Sequence, residues 1–171
     1  DNVVSLIFAS PCLSASRFIE DQKVYLAELP EDLQKTIKES EAAGNFTSPE
    51  YQKAMNSYYK LHVCRIDPWP DCVNKSFEKI GQPVYEYMWG PSEFTVTGIL
   101  RDYERADRLK EITVPTLLTC GRYDEVPPSS TEYYQSMMPG SEIAVFEDSS
   151  HHHNLEKNDE YIRVLRDFLG R

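Results

Sequence analysis

The sequence has no cluster of five or more Lys and Arg residues, and its 18 basic side chains are outnumbered by 28 acidic ones, a formal net charge of −10. A protein that holds phosphates needs a basic face to displace counterions, so no nucleic-acid partner is expected. The same charge disfavours an anionic membrane surface. No stretch approaches the roughly 18 consecutive apolar residues that span a bilayer. Asp1-Asn2 puts no basic segment ahead of the first apolar run, so neither a membrane span nor a signal peptide is expected. Glycine is sparse at 7 residues and proline stands at 11, and together with 40% hydrophobic and 12% aromatic content this excludes a disordered or fibrous chain. The four cysteines, Cys12, Cys64, Cys72 and Cys120, form no CxxC pair and lie in or beside apolar segments. They read as reduced structural thiols of a cytoplasmic protein.

The first pattern is a strand. Val3-Val4 and Leu6-Ile7-Phe8-Ala9 make a nearly continuous apolar run that ends at Ser10-Pro11, as expected of a strand buried on both faces. A domain rarely opens in mid-sheet, so the chain reads as the second part of something longer. Helices follow from about residue 17 to 103. Leu26, Leu29, Leu33 and Ile37 recur at three- and four-residue spacing up to a stop at Gly44. Ser48-Pro49-Glu50 opens another helix, with Ser48 as cap, Pro49 in the first turn and Glu50 complementing the dipole. Its stripe of Tyr51, Ala54, Met55, Tyr58, Tyr59 and His62 is read as packing against neighbouring helices. The break Asp67-Pro68-Trp69-Pro70 leads to a third helix around Val73, Phe77 and Ile80.

After Ile112 the pattern alternates: a strand over 114–120, a helix over 129–138, a strand over 143–146 and an amphipathic helix over 159–169. That order implies an α/β fold of parallel strands with right-handed crossovers. Chemistry then gathers in the loops past the carboxyl ends of the strands, here 121–128 and 147–153. Asp124 and His151 fall in those two loops and can meet at one rim if the strands are neighbours. An Asp that accepts from a His ring nitrogen fixes the tautomer and stabilises the imidazolium, which is two-thirds of a nucleophile-activating relay. Spacing alone leaves open a plain loop Asp, since Asp also caps turns. His151-His152-His153 is a poor metal site, because adjacent loop histidines point apart and no second cluster at metal spacing accompanies them.

The runs Gly121-Arg-Tyr-Asp-Glu-Val-Pro-Pro and Pro139-Gly-Ser-Glu-Ile-Ala-Val-Phe-Glu-Asp-Ser-Ser-His151 resemble the closing half of α/β-hydrolases. More narrowly they resemble the proline iminopeptidases and the tricorn-interacting aminopeptidase. His62-Val-Cys-Arg65, Pro68-Trp-Pro70, Pro83-Val-Tyr-Glu-Tyr-Met88 and Gly90-Pro-Ser-Glu-Phe94 extend the likeness from Ser5 to the C-terminus. The resemblance implies the C-terminal part of an α/β-hydrolase: residues 1–16 as a strand of the hydrolase sheet, 17–103 as an inserted helical cap, 104–171 as the closing part of the catalytic domain. It implies Asp124 as the triad acid, His151 as the general base, and Glu93 with Glu125 as the carboxylates that hold a substrate's α-ammonium group, with no cofactor and no metal. On the residues alone, both glutamates also fit solvated loop charges.

A Gly-x-Ser-x-Gly nucleophile elbow is absent. Only Gly90 stands two before a serine, Ser92, and Phe94 occupies the second glycine's place. The nucleophile and the oxyanion loop are therefore expected on an upstream part, in cis or as a second chain, and this chain alone is expected to be inactive. The expected function of the whole is serine-type release of N-terminal proline, or another small or hydrophobic residue, from short peptides or amino-acid amides. Alternatives are an amino-acid amidase or esterase of the same fold, a non-catalytic subunit, and a metal-dependent hydrolase built on the His triplet.

Overall fold

The computed structural model describes residues 2–170. Strand β1 (Leu6–Ala9) is followed by helices α1 (Ala15–Glu28), α2 (Glu31–Ala42), α3 (Pro49–His62), α4 (Asp71–Glu78) and α5 (Gln82–Met88). A 3₁₀ helix (Ala106–Glu111) leads into β2 (Thr116–Gly121), α6 (Pro128–Ser136), β3 (Glu142–Phe146), α7 (His153–Glu156) and α8 (Asn158–Leu169). The three strands form one parallel sheet in the order β1-β2-β3. Phe8 pairs with Leu118 and Leu118 with Ile143, so these three side chains form a row on one face. Phe18, Leu109, Val126, Tyr134 and Met138 pack with that row as the first core. On the opposite face Phe146 stacks against His153 of α7 and meets Tyr161 of α8. Helices thus cover both faces, and all six residues of β2 are buried, which accounts for its unbroken apolar run.

A second core of Leu29, Ile37, Tyr51, Ala54, Met55, Tyr58 and Val63 holds the helices between β1 and β2 together. The α3 stripe is core, as the spacing implies. Ser48 caps α3 by accepting from the Tyr51 amide at 3.2 Å. Helix α1 joins the two cores, with Phe18 in the first and Tyr25 and Leu26 packed against the second.

The structure departs from the sequence reading in several elements. The leucine stripe up to Gly44 is two helices, because Pro30 holds Leu29 in an extended conformation between α1 and α2. Strand β1 starts at Leu6, with Val3 and Val4 exposed, and it is not buried on both faces: Leu6 to Phe8 are half-buried and Ala9 is exposed. Among the described residues it is the outer strand and pairs only with β2. Ile80 lies beyond the end of α4, and α5, α7 and the 3₁₀ helix are too short to show a periodic stripe in the sequence.

Candidate active site

Asp124 sits in the tight turn after β2, fully buried, and both of its oxygens are saturated. Oδ1 accepts from the Val126 amide at 3.0 Å and from His151 Nδ1 at 3.2 Å. Oδ2 accepts from the Gly121 amide at 3.2 Å and from Ser10 Oγ at 2.5 Å. The turn lies so close to the loop after β3 that a Cβ on Gly121 would stand 2.3 Å from the Ser150 carbonyl oxygen and 2.5 Å from that of Ser149. Glycine is therefore required for the loops of neighbouring strands to meet, and with them Asp124 and His151.

The histidine loop is fastened to the helical segment. The His151 amide donates to the His62 carbonyl and the His152 amide to the Val63 carbonyl, both at 3.0 Å, at the end of α3. His62 Nδ1 donates in turn to the Tyr123 carbonyl at 2.9 Å. Burial pushes the His62 pKa down, against the pull of that hydrogen bond, so the ring acts as a neutral donor. From α1, Tyr25 Oη donates to the Asp124 carbonyl at 2.8 Å and Gln22 Nε2 to the Glu125 carbonyl at 2.9 Å. Gln22 is itself held by the Tyr58 hydroxyl. The acid loop is thus positioned by side chains about a hundred residues earlier in the chain.

His151 is 32% exposed, and its Nδ1 also lies 3.4 Å from Glu125 Oε1. Burial works against the imidazolium, but the Glu125 carboxylate, the hydrogen bond with Asp124 and the charges of Asp124 and Glu93 outweigh it and hold the pKa at about 9. Burial pushes the Glu125 carboxyl well up; the nearby His151 cation opposes this, while Glu93 and Asp124 add to it. Glu93 is also raised by burial, against its hydrogen bond from Tyr85 Oη at 2.6 Å and the His151 charge. Asp124, His151 and Glu125 are therefore in direct contact. Glu93 stands near enough for its charge to act on His151 and Glu125, but makes no hydrogen bond to them.

The three histidines diverge. His153 is buried, stacked on Phe146, with Nδ1 donating to the His151 carbonyl at 3.2 Å and Nε2 facing Thr119 Oγ1 at 2.9 Å. Burial lowers its pKa, so the ring is neutral and Nε2 accepts from the threonine. Among the described residues, no group of three or more His, Cys, Asp and Glu side chains is placed to hold a metal ion. Ser92 is no elbow: it lies in the buried turn after α5, and its Oγ accepts from the Phe94 and Thr95 amides at 3.2 and 3.1 Å. A cavity of about 420 Å³ in the helical segment is lined by Tyr51, Met55, Tyr59, Phe77, Tyr85 and Glu93, among others.

The sequence reading missed Ser10, Gln22 and Tyr25, and took Tyr58 as packing alone. A signal existed for Ser10, which follows β1 directly and so falls on the same carboxyl rim as Asp124 and His151. The others sit on helices, where a polar side chain aimed at a distant loop carries no periodic mark.

A parallel sheet with an acid and a histidine in the loops of adjacent strands, and helices inserted ahead of them, is the C-terminal part of an α/β-hydrolase. No family model matches the chain. The proline iminopeptidase of Heyndrickxia coagulans is 45% identical over 169 residues, covering 98% of this chain and 59% of that protein. That of Saccharolobus solfataricus is 37% identical over 165 residues, covering 96% of this chain and 53% of that protein. Among solved structures, VinJ superposes with a TM-score of 0.93 at 37% identity, over 97% of this chain and 57% of that one. The proline iminopeptidase of Mycobacterium smegmatis superposes with a TM-score of 0.88 at 34% identity, over 98% of this chain and 56% of that one. Proline iminopeptidases thus match the chain along nearly its whole length, and it spans somewhat more than half the length of the curated relatives it matches.

Proposed function

We propose that this chain is the acid- and histidine-bearing part of a serine-type aminopeptidase that releases N-terminal proline, or another small or hydrophobic residue, from short peptides or amino-acid amides. The observation that carries this reading is the position of Glu125. The histidine of an Asp–His pair needs one carboxylate, yet His151 Nδ1 lies 3.2 Å from Asp124 and 3.4 Å from a second, nearly buried carboxylate, with the charge of Glu93 close by. An esterase has no use for that surplus of negative charge. A substrate ammonium does: two carboxylates offset its desolvation and admit only the first residue of a peptide. The aromatic cavity beside Glu93 supports a hydrophobic first residue. The names of the relatives agree with this substrate class.

In this mechanism the serine belongs to a part of the family's length that the chain does not span, in cis or as a second chain, together with the oxyanion donors. Its hydroxyl attacks the substrate carbonyl. The proton passes to Nε2 of His151, whose Nδ1 is held by Asp124, and then to the leaving amine as the C–N bond breaks. Water repeats the cycle on the acyl-enzyme. The helical segment is the cap over the site, no cofactor takes part, and the cytoplasm keeps the four unpaired cysteines reduced.

Glu93→Gln in the enzyme that also carries the serine tests the reading. KM for a prolyl anilide is expected to rise by about tenfold or more, since a lost charge partner is worth roughly 1.5–3 kcal/mol, while hydrolysis of an aryl acetate, which has no ammonium group, is spared. Equal loss on both substrates refutes the anchor. Ester turnover with no turnover of prolyl anilide or prolinamide by the unsubstituted enzyme makes it an esterase.

A further inference from the structure

Glu41 has no part in the Asp–His pair or in binding the amine, yet it is among the most heavily hydrogen-bonded carboxylates of the helical segment. It stands in the last turn of α2, where the helix dipole disfavours an acidic side chain, and that turn has no basic residue. Its partners are three hydroxyls from two other segments. Tyr51 Oη of α3 donates to Oε1 at 2.9 Å, Ser92 Oγ donates to Oε1 at 2.6 Å and Thr95 Oγ1 donates to Oε2 at 2.6 Å. Among the described residues no Lys, Arg or His pairs with it.

The two hydroxyls after α5 flank Glu93. Ser92 Oγ accepts from two amides of its own turn while its proton goes to Glu41, so the turn around Glu93 and the contact with α2 share one hydroxyl. Gly90, at φ +146, packs so tightly against this turn that a Cβ would stand 2.1 Å from the Thr95 carbonyl oxygen. The segment is closed on itself by glycine and tied on either side of Glu93 to the two oxygens of one carboxylate. Among the described residues Glu93 accepts a side-chain hydrogen bond only from Tyr85 Oη. Its location therefore depends on where the turn is held: Phe94 packs on Tyr58 in the second core, and Glu41 holds the hydroxyls on either side of Glu93.

We propose that Glu41 is a positioning residue that sets the place of the Glu93 carboxylate, and with it the recognition of the substrate's ammonium group. This rests on the reading of Glu93 as the amine anchor. A carboxylate suits the task because three donors converge on it, and an ionised acceptor binds hydroxyls more strongly than a neutral one. Glutamine keeps one acceptor oxygen and turns an amide donor toward the remaining hydroxyl, so it serves in part. Alanine releases the turn.

The test uses the enzyme with its serine, a prolyl anilide, an aryl acetate and the variants Glu41→Ala, Glu41→Gln and Glu93→Gln. Glu41→Ala is expected to raise KM for the anilide by about tenfold or more while turnover of the acetate stays within about twofold, because misplacing a binding group by about an ångström has costs of this size. Glu41→Gln is expected to raise it less. In a Glu93→Gln background the Glu41→Ala effect is expected to vanish, since the two substitutions then remove one and the same interaction. Equal losses on anilide and acetate, or an undiminished KM effect in the Glu93→Gln background, overturn the proposal and make Glu41 a purely structural residue. If Glu41→Ala does not fold, Glu41→Gln with an unchanged melting temperature and an unchanged KM overturns it equally. If Glu93→Gln itself affects both substrates alike, the anchor reading fails first, and that outcome is separate from a failure of Glu41 alone.

Discussion

His151 is surrounded by more negative charge than a base working near neutrality needs. Burial disfavours its charged form, but Glu125, Asp124 and Glu93 outweigh that and raise its pKa, which favours the protonated ring before substrate binds. Under the proposed function, a substrate ammonium between Glu93 and Glu125 would cancel part of that negative charge and return the ring to its basic form. The sign follows: removing a carboxylate that raises the pKa moves the acid limb of the rate profile to lower pH. For Glu125→Gln the limb of kcat/KM on an aryl acetate is expected to shift down by about one pH unit or more. A limb that stays in place would show that Glu125 does not act on His151. Ser10 offers a second check. It sits at φ +48 and donates to Asp124 Oδ2. Ser10→Ala and Ser10→Gly both leave that buried oxygen one donor short and are expected to lower stability by about 1–3 kcal/mol in urea unfolding. Alanine is expected to lose more, because it keeps the left-handed backbone without glycine's freedom. Full stability in Ser10→Ala would mean the hydroxyl contributes nothing.

Among the elements, the strands and the longer helices were legible because each has a run or stripe long enough to show a period. Helix α3 shows its cap, its proline and its buried face in the sequence, and the structure uses all three. Pro30 was legible too, but the leucine spacing runs across it and hid the break between α1 and α2. The short helices α5 and α7 have too few turns for a stripe and form where the tertiary contacts place them. Helix α2 contributes one fully buried side chain, Ile37, and Ile37→Ala is expected to cost about 2–5 kcal/mol by loss of burial and a cavity, read as a lower urea midpoint at unchanged slope. At the carboxyl end of β2, Gly121→Ala puts a methyl group into two backbone carbonyls and is expected to abolish soluble expression. A well-expressed, active Gly121→Ala protein would mean the loops do not need so close an approach.

On the scale of the whole molecule, the parallel sheet brings together residues from three distant stretches: Ser10, the loop after β2 and the loop after β3. No described residue lies in a serine elbow, and the chain spans somewhat more than half of its curated relatives. The 171-residue chain is therefore expected neither to hydrolyse a prolyl anilide nor to be labelled by a serine-directed phosphonate, whereas under the proposed function protein that also carries the nucleophile region is expected to do both. Turnover by the chain alone would place the nucleophile within it and overturn the assignment. The sequence by itself determined the parallel order of strands and placed Asp124 and His151 in loops past the carboxyl ends of two of them, because hydrophobic period and position after a strand are local properties; that those strands are neighbours and the two side chains meet was decided by the fold. Only the tertiary structure decided that Gln22, Tyr25 and His62 brace the acid loop, that Glu125 touches His151, and that Glu41 ties down the turn around Glu93. Those contacts join residues that are mostly far apart in the chain, and a hydrogen bond between them leaves no periodic trace in either segment until the fold brings the two together.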